Sequence, residues 1–225
     1  MTKKPKTALI IGASGGIGSA LAALCADRGY KVLTLSRRTD GLDITDEDSV
    51  SHHAKTIKGG LDLIVVATGA LEMDGLRPEK SIQNISTDHL LKQFRTNALG
   101  PALLLKHFAP KLTKARRAIF VVLSSRVGSI GDNYLGGWVS YRAAKAALNQ
   151  IVRTTAIELG HKNPKAICIA YHPGTVLTGM TRKYLKDKTS VLPKDAVIDL
   201  LDVVENLSLR DTGHFLNWTG KQAVW

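Results

Sequence analysis

The chain predicts an α/β fold: one doubly wound parallel sheet, built as a single domain over residues 1–225. Three observations carry this. Five short runs are continuously apolar, as strands are when helices cover both faces of a parallel sheet. Longer segments of helical pattern lie between them, and strand–helix alternation at this spacing builds βαβ units. The first apolar run ends in a glycine cluster that opens a helical pattern.

In order, the strands are expected at Thr7–Ile11, Lys31–Ser36, Leu61–Ala67, Ala118–Ser124 and Lys165–Tyr171. Their sequences, TALII, KVLTLS, LDLIVVA, AIFVVLS and KAICIAY, are short and apolar enough for buried strands. Helices are expected over 16–28, which is amphipathic, over the polar segment 46–57, over the long segments 87–112 and 139–160, and over 194–207. No internal repeat or low-complexity linker divides them.

Composition excludes several classes. Hydrophobic residues at 44% and charged residues at 22% give an ordinary globular balance. No apolar run approaches the roughly 20 residues of a membrane span. The basic start MTKKPKTALIIG runs straight into the glycine cluster with no plausible cleavage site, against a signal peptide. Cys25 and Cys168 each sit in an apolar segment, as buried small hydrophobes do, and together these features point to the cytoplasm. The net charge of +12 comes from mostly dispersed Lys and Arg, and aromatics are only 5%, so no nucleic-acid surface is expected. No Cys/His cluster has metal-ligand spacing, so no metal is expected.

The first strand ends in IIGASGGIGSALAALCADRG, in which Gly12, Gly16 and Gly18 have the spacing G-x-x-x-G-x-G. Between a strand and an amphipathic helix, such glycines allow a tight turn and close backbone approach. The helix N-terminus then offers N–H groups and partial positive charge to a pyrophosphate. Gly12, Ser14, Gly16, Ile17 and Gly18 are therefore candidate dinucleotide-binding residues of a Rossmann-like fold. An NAD site places an acid about 20 positions on to accept from the adenosine ribose. Here the second strand ends in LSRRTD, with Arg37 and Arg38. Two guanidiniums suit a 2′-phosphate and cannot accept from a hydroxyl, which favours NADP(H) over NAD.

The segment SYRAAKAALN, residues 140–149, carries Tyr141 and Lys145 four apart. On a helix these lie on one face. A cation about 4 Å from a phenol, at an effective dielectric near 20, favours the phenolate by at most roughly 4 kcal/mol. At about 1.36 kcal/mol per unit, the phenol pKa would fall by about three units from near 10, poising Tyr141 for acid–base chemistry. On this segment alone, a packed ring and a solvated ammonium remain the alternative.

Taken together, GASGGIG, FVVLSSRVGS, SYRAAK and YHPGT resemble the short-chain dehydrogenase/reductase family across essentially the whole chain. The stretches SSRVGSIGDNYLGGWVSYRAAKAALN and NPKAICIAYHPGTV are similar to its C-factor and sniffer subgroup of carbonyl reductases. The resemblance implies catalytic roles for Tyr141, Lys145 and Ser125, with Ser124 an alternative to Ser125. It implies that Asn97, in RTNALG, holds a proton-relay water. Pro173, Gly174, Thr175 and Val176 match the loop along the nicotinamide, Asp43 matches the acid that contacts the adenine amine, and Gly69 permits close cofactor approach. The chain departs from the pattern where Asn-Asn-Ala-Gly reads Val66-Ala67-Thr68-Gly69, where Ala144 replaces a serine, and where 15 residues separate Ser125 from Tyr141.

The implied activity is NADPH-dependent reduction of an aldehyde, ketone or quinone to an alcohol, with Tyr141 as general acid. An NADP(H)-binding signalling or sensor protein with little turnover is the alternative. Trp138 and Tyr134 are candidates either for the substrate pocket or for ordinary packing, and His172 for a satisfied core histidine. Segment 177–193 is the expected substrate lid, in which Arg182, Lys183, Lys186 and Lys188 would suit an acidic substrate. Family members pair their long helices, which implies a homodimer or homotetramer.

Overall fold

The computed structural model describes residues 5–185 and 189–225. At its centre is a six-stranded, wholly parallel sheet. Its strands are β1 (Thr7–Ile11), β2 (Lys31–Leu35), β3 (Leu63–Val66), β4 (Ala118–Leu123), β5 (Ala166–His172) and β6 (Phe215–Asn217). They lie in the order β2-β1-β3-β4-β5-β6. The helices are α1 (Gly16–Asp27), the single turn α2 (Arg37–Asp40), α3 (Glu47–Thr56), α4 (Thr87–Phe94), α5 (Gly100–Phe108), α6 (Val139–Lys162) and α7 (Pro193–Asn206).

Alternate strand residues feed two cores. Leu9 and Ile11 of β1 join Val50, Leu104, Phe108, Leu148 and Val152, which come from α3, α5 and α6. Ala8 and Ile10 join Leu21, Cys25, Val197 and Leu201 of α1 and α7 on the other face. Both faces are therefore covered, which is why the strands read as unbroken apolar runs. Each large side chain so buried, such as the fully covered Phe108 and Phe120, contributes about 1.5–3 kcal/mol.

All five expected strands are present, with three differences. The strand expected from Leu61 starts at Leu63. Asp62 instead accepts from the Thr7 N–H at 2.8 Å and pairs with Arg116, and Leu61 bridges Leu112. A sixth strand, β6, extends the sheet beside β5. Finally, the long helix expected over 87–112 is interrupted. Between α4 and α5 the turn Arg95–Leu99 is a π-helix in which the Gly100 N–H bonds the Arg95 carbonyl, five residues back. Pro101 is the local cause: it has no N–H to send to the Asn97 carbonyl, so the α ladder cannot continue there.

After β2 the chain crosses back over β1 to form β3, so the strand order reverses between β1 and β3. Open α/β sheets bind ligands beyond the carboxyl ends of the strands at such a point. Gly12 and Gly69 mark that crevice, one just after β1 and the other shortly after β3. Among the described residues, no helix is long and apolar enough to cross a membrane.

Candidate active site

A cleft of about 1070 Å³ runs across these strand ends. Gly12, Ser14, Gly16 and Ile17 line one end, with Arg37, Arg38 and Asp43 beside them. Gly69 lies along its floor, and Ser125, Tyr141, Lys145, Pro173, Gly174 and Val176 line the remainder. Three expected members are not in its wall. Gly18 is buried, and a Cβ there would meet the Gly12 carbonyl oxygen at 2.2 Å. It lets α1 pack onto the loop. Thr175 is exposed, its carbonyl accepting from the Val191 N–H at 3.0 Å. Asn97 is fully buried behind the cleft.

At the glycine loop, Gly12 adopts φ 93°, and a Cβ would stand 2.8 Å from the Ala67 carbonyl oxygen. Only glycine takes both the conformation and the contact without strain. The N-cap of α1 is Gly15, so no side chain bonds the first N–H groups of the helix. The next residues form a capped turn. Ser36 Oγ accepts from the Thr39 N–H at 3.2 Å, and Asp40 accepts from the Ser36 N–H at 2.7 Å. This turn, α2, holds Arg37 and Arg38 at the rim. The Asp43 carboxyl is held below its ordinary range, first by the Thr45 backbone N–H and then by the Thr45 hydroxyl, with a contribution from Arg37.

At the opposite end both serines line the cleft, and they differ in what they bond. Ser124 is buried and donates to Asn149 Oδ1 at 2.6 Å. Ser125 faces the cleft at the head of the turn Arg126–Gly128, its Oγ accepting weakly from the Val127 N–H at 3.4 Å. Tyr141 and Lys145 share the same face of α6, as their spacing requires. Gly69 approaches both Asn97 and Lys145: a Cβ there would lie 3.0 Å from Asn97 Oδ1 and 3.7 Å from Lys145 Nζ.

One expectation is reversed. Burial pushes the Tyr141 phenol up to about 12 and the Lys145 ammonium down to about 8. Lys145 Nζ lies 5.9 Å from the Tyr141 ring centroid and donates to the Leu123 carbonyl at 3.2 Å. Loss of hydration therefore outweighs mutual attraction here.

Several further side chains shape the pocket. Trp138, at φ 53°, packs edge-on to Tyr141 and to Tyr184, with centroids 6.3 and 5.4 Å apart. Tyr134 is 86% exposed and is no part of that wall. His172 lines the cleft, packed edge-on against Trp218, and burial followed by the Arg126 charge pushes it down to about 4. It is thus a neutral imidazole. Glu72 was not foreseen: it accepts from Lys183 Nζ at 2.6 Å and from the Tyr184 hydroxyl. Lys183 stays 60% exposed in that pair. Lys186 and Lys188 lie outside the described residues. Thr68, also unforeseen, lines the cleft with a buried hydroxyl that has no partner among the described residues.

Comparison with known proteins agrees with this architecture. A 1-hydroxy-2-glutathionyl-2-methyl-3-butene dehydrogenase of Rhodococcus is 28% identical over 97% of this chain and 99% of its own length. The C-signal protein of Myxococcus xanthus is 32% identical over 60% of this chain and 78% of its own. Among solved structures, the NADPH-bound carbonyl reductase from chicken fatty liver superposes with a TM-score of 0.82 at 27% identity, covering 98% of this chain and 94% of the other. The model of the short chain dehydrogenase family matches residues 6–189, which span the glycine loop, Ser125, Tyr141 and Lys145, and the chain belongs to that family.

Proposed function

We propose that this protein is an NADPH-dependent carbonyl reductase. The observation that carries the reading is the convergence of Ser125, Tyr141 and Lys145 on one end of a cleft whose other end is a glycine loop flanked by Arg37 and Arg38. The residues fit a phosphorylated dinucleotide. Gly12 and Gly16 would leave room for its pyrophosphate, the uncapped start of α1 offers N–H groups, and Arg37 and Arg38, which line the same cleft, would hold a 2′-phosphate. The partnerless Thr68 hydroxyl supplies one more polar group in the same cleft.

When bound, NADPH supplies a hydride to the carbonyl carbon, so negative charge grows on the carbonyl oxygen. Ser125 Oγ and the Tyr141 hydroxyl are the two donors available to that oxygen, and donors placed in advance favour the transition state over the ground state. Tyr141, with its pKa raised by burial, holds its proton at neutral pH and has it to give. Lys145 carries charge on the same helix face and favours the phenolate left behind. The Asn97 carboxamide is fully engaged, accepting from the Ala70 N–H and donating to the Ala70 carbonyl and Gln93. A relay water would therefore be held by the Asn97 backbone carbonyl, to which Pro101 sends no N–H.

The reading is tested by following NADPH and NADH oxidation over a panel of aldehydes, diketones, quinones, ketosteroids and keto acids. Turnover with NADPH that is lost in Tyr141→Phe is the expected result. Binding of NADPH without any turnover would support the sensor alternative instead. We also propose a cytoplasmic homo-oligomer. Leu91 and Ile157 are exposed on α4 and α6, the expected pairing helices, and sedimentation of a Leu91→Glu/Ile157→Glu variant as a monomer would support the pairing.

A further inference from the structure

Behind the cleft, four side chains form one buried polar row. His89, Gln93 and Asn97 follow one another at four-residue steps along the helical run, and Glu79 completes the row. Their exposures are 4%, 0%, 0% and 4%. Burying so many polar groups costs free energy unless they are paired.

They are paired in sequence. Asn97 Nδ2 donates to Gln93 Oε1 at 2.7 Å. Gln93 Nε2 donates to the Leu71 carbonyl at 2.9 Å and faces His89 Nε2 at 3.3 Å. His89 Nδ1 faces Glu79 Oε1 at 3.4 Å. The Glu79 carboxylate accepts from the Ser140 hydroxyl and, at 3.3 Å, from the Ser140 N–H, while its backbone carbonyl accepts from the Trp138 N–H at 2.6 Å.

Donor rules give this row a single direction. The Leu71 carbonyl only accepts, so it orients the Gln93 amide with Nε2 toward His89. His89 Nε2 must then accept, which leaves the ring N–H on Nδ1, facing Glu79. The bonds from Asn97 to Gln93 and from Gln93 to His89 run toward the carboxylate and polarise one another, and the His89 ring closes on Glu79 through the 3.4 Å contact. That anion sits at the N-terminus of α6, where the N-cap Trp138 supplies no side-chain bond. A negative group is favoured at such a terminus. Glu79 thus caps the helix that carries Tyr141, through the residue immediately before it. Two carboxamides in the row prevent it from handing on protons; what it transmits is orientation.

Resting on the reductase reading above, we propose that Glu79, His89 and Gln93 are positioning residues. They form a one-way polar row, of hydrogen bonds and one imidazole–carboxylate contact, that fixes Asn97 and the Ala70–Leu71 wall at one end and the first turn of α6 at the other.

The test compares Gln93→Met, His89→Phe, His89→Gln and the milder Glu79→Gln with the native protein, measuring kcat, the KM for NADPH and backbone amide exchange at Ala70 and Ser140. Gln93→Met and His89→Phe are expected to lower kcat about tenfold to a hundredfold through misplacement of the reacting groups, with the KM for NADPH little changed. His89→Gln, which keeps one donor and one acceptor, is expected to recover most of that loss. Glu79→Gln, which removes the charge at the end of the chain, is expected to lower kcat and speed exchange at Ser140. If either of the first two variants does not fold, Glu79→Gln decides. Native kcat and native exchange at both ends in the chain-breaking variants would overturn the proposal, as would a His89→Gln protein no better than His89→Phe. Failure of the reductase reading shows separately, as a native protein without NADPH-dependent turnover or as turnover that survives Tyr141→Phe. The exchange measurements then still decide whether the chain couples its two ends.

Discussion

Gly128 touches Lys145 with no side chain between them: a Cβ on Gly128 would lie 2.7 Å from both the carbonyl carbon and the Cβ of Lys145. The turn that follows Ser125 therefore rests directly on the helix that carries Tyr141 and Lys145. Gly128→Ala must push backbone from backbone. The expected cost is about 1–3 kcal/mol, read from urea unfolding, as for other overpacked sites. Turnover should fall as well, because the change parts Ser125 from Lys145, while NADPH affinity, set mainly at the far end of the cleft, should change less.

Lys145 also makes stability depend on pH. Folding lowers its ammonium from 10.5 to about 8. Between those values the unfolded chain binds more protons than the folded one, so stability rises with pH across that window. Tyr141, raised from 10.0 to about 12, acts in the opposite sense above its unfolded value: the unfolded chain loses that proton first, and stability falls. The urea midpoint of the native protein is expected to gain more than that of Lys145→Met between about pH 7.5 and about pH 9.5. Equal slopes for the two proteins would contradict this account.

On the reductase reading, cofactor choice is expected to rest on a capped turn as well as on charge. Replacing both Arg37 and Arg38 by Asp should lower the ratio of kcat/KM for NADPH over NADH by at least about tenfold, since guanidinium–phosphate bonds are among the strong ones. Ser36→Ala leaves both charges but removes the Thr39 N–H acceptor, a loss of about 1 kcal/mol for a typical N-cap. It should raise the KM for NADPH while moving the KM for NADH less. Steady-state kinetics with each dinucleotide would check both.

If the segment around Lys183 and Tyr184 acts as a lid, Glu72 is the residue that holds it. Its carboxyl is held below the ordinary range, first by Lys183 and then by the Tyr184 hydroxyl, and burial followed by that bond pushes Tyr184 up to about 12. Glu72→Ala releases both partners at once. Faster NADPH dissociation in stopped-flow fluorescence is expected, with a raised kcat if release limits turnover. An unchanged dissociation rate would show that the lid is held elsewhere.

Much of this was legible in the residues, for identifiable reasons. Central parallel strands are covered on both faces, so β1 to β5 read as apolar runs. β6 did not, because Phe215–Asn217 is three residues long and owes its conformation to pairing with β5. The four-residue step between Tyr141 and Lys145 correctly placed them on one face, but spacing carries no information on hydration, and burial reversed the expected shift of the phenol. Ser124 and Ser125 could not be told apart without Asn149, which takes the Ser124 hydroxyl out of play. Glu79 lies 61 positions from Ser140, and no local pattern joins them. By contrast, the steps from His89 to Gln93 to Asn97 were open to inspection as a polar stripe at helical spacing, ahead of the leucines and phenylalanine that α5 buries.

The π turn at Arg95–Leu99 has a consequence for length. An α-helix advances about 100° per residue. The wider turn takes up one residue more than an α turn would, and Leu104 and Phe108 beyond it both arrive wholly inside the core. One further residue inserted between Pro101 and Leu104 would set Leu104 and Phe108 about 100° out of phase with His89 and Gln93. Either those two side chains or the polar row would then have to leave the interior, and the Ile44 side chain that Gly100 admits would lose its place. In this stretch the number of residues is a stricter constraint than the identity of most of them.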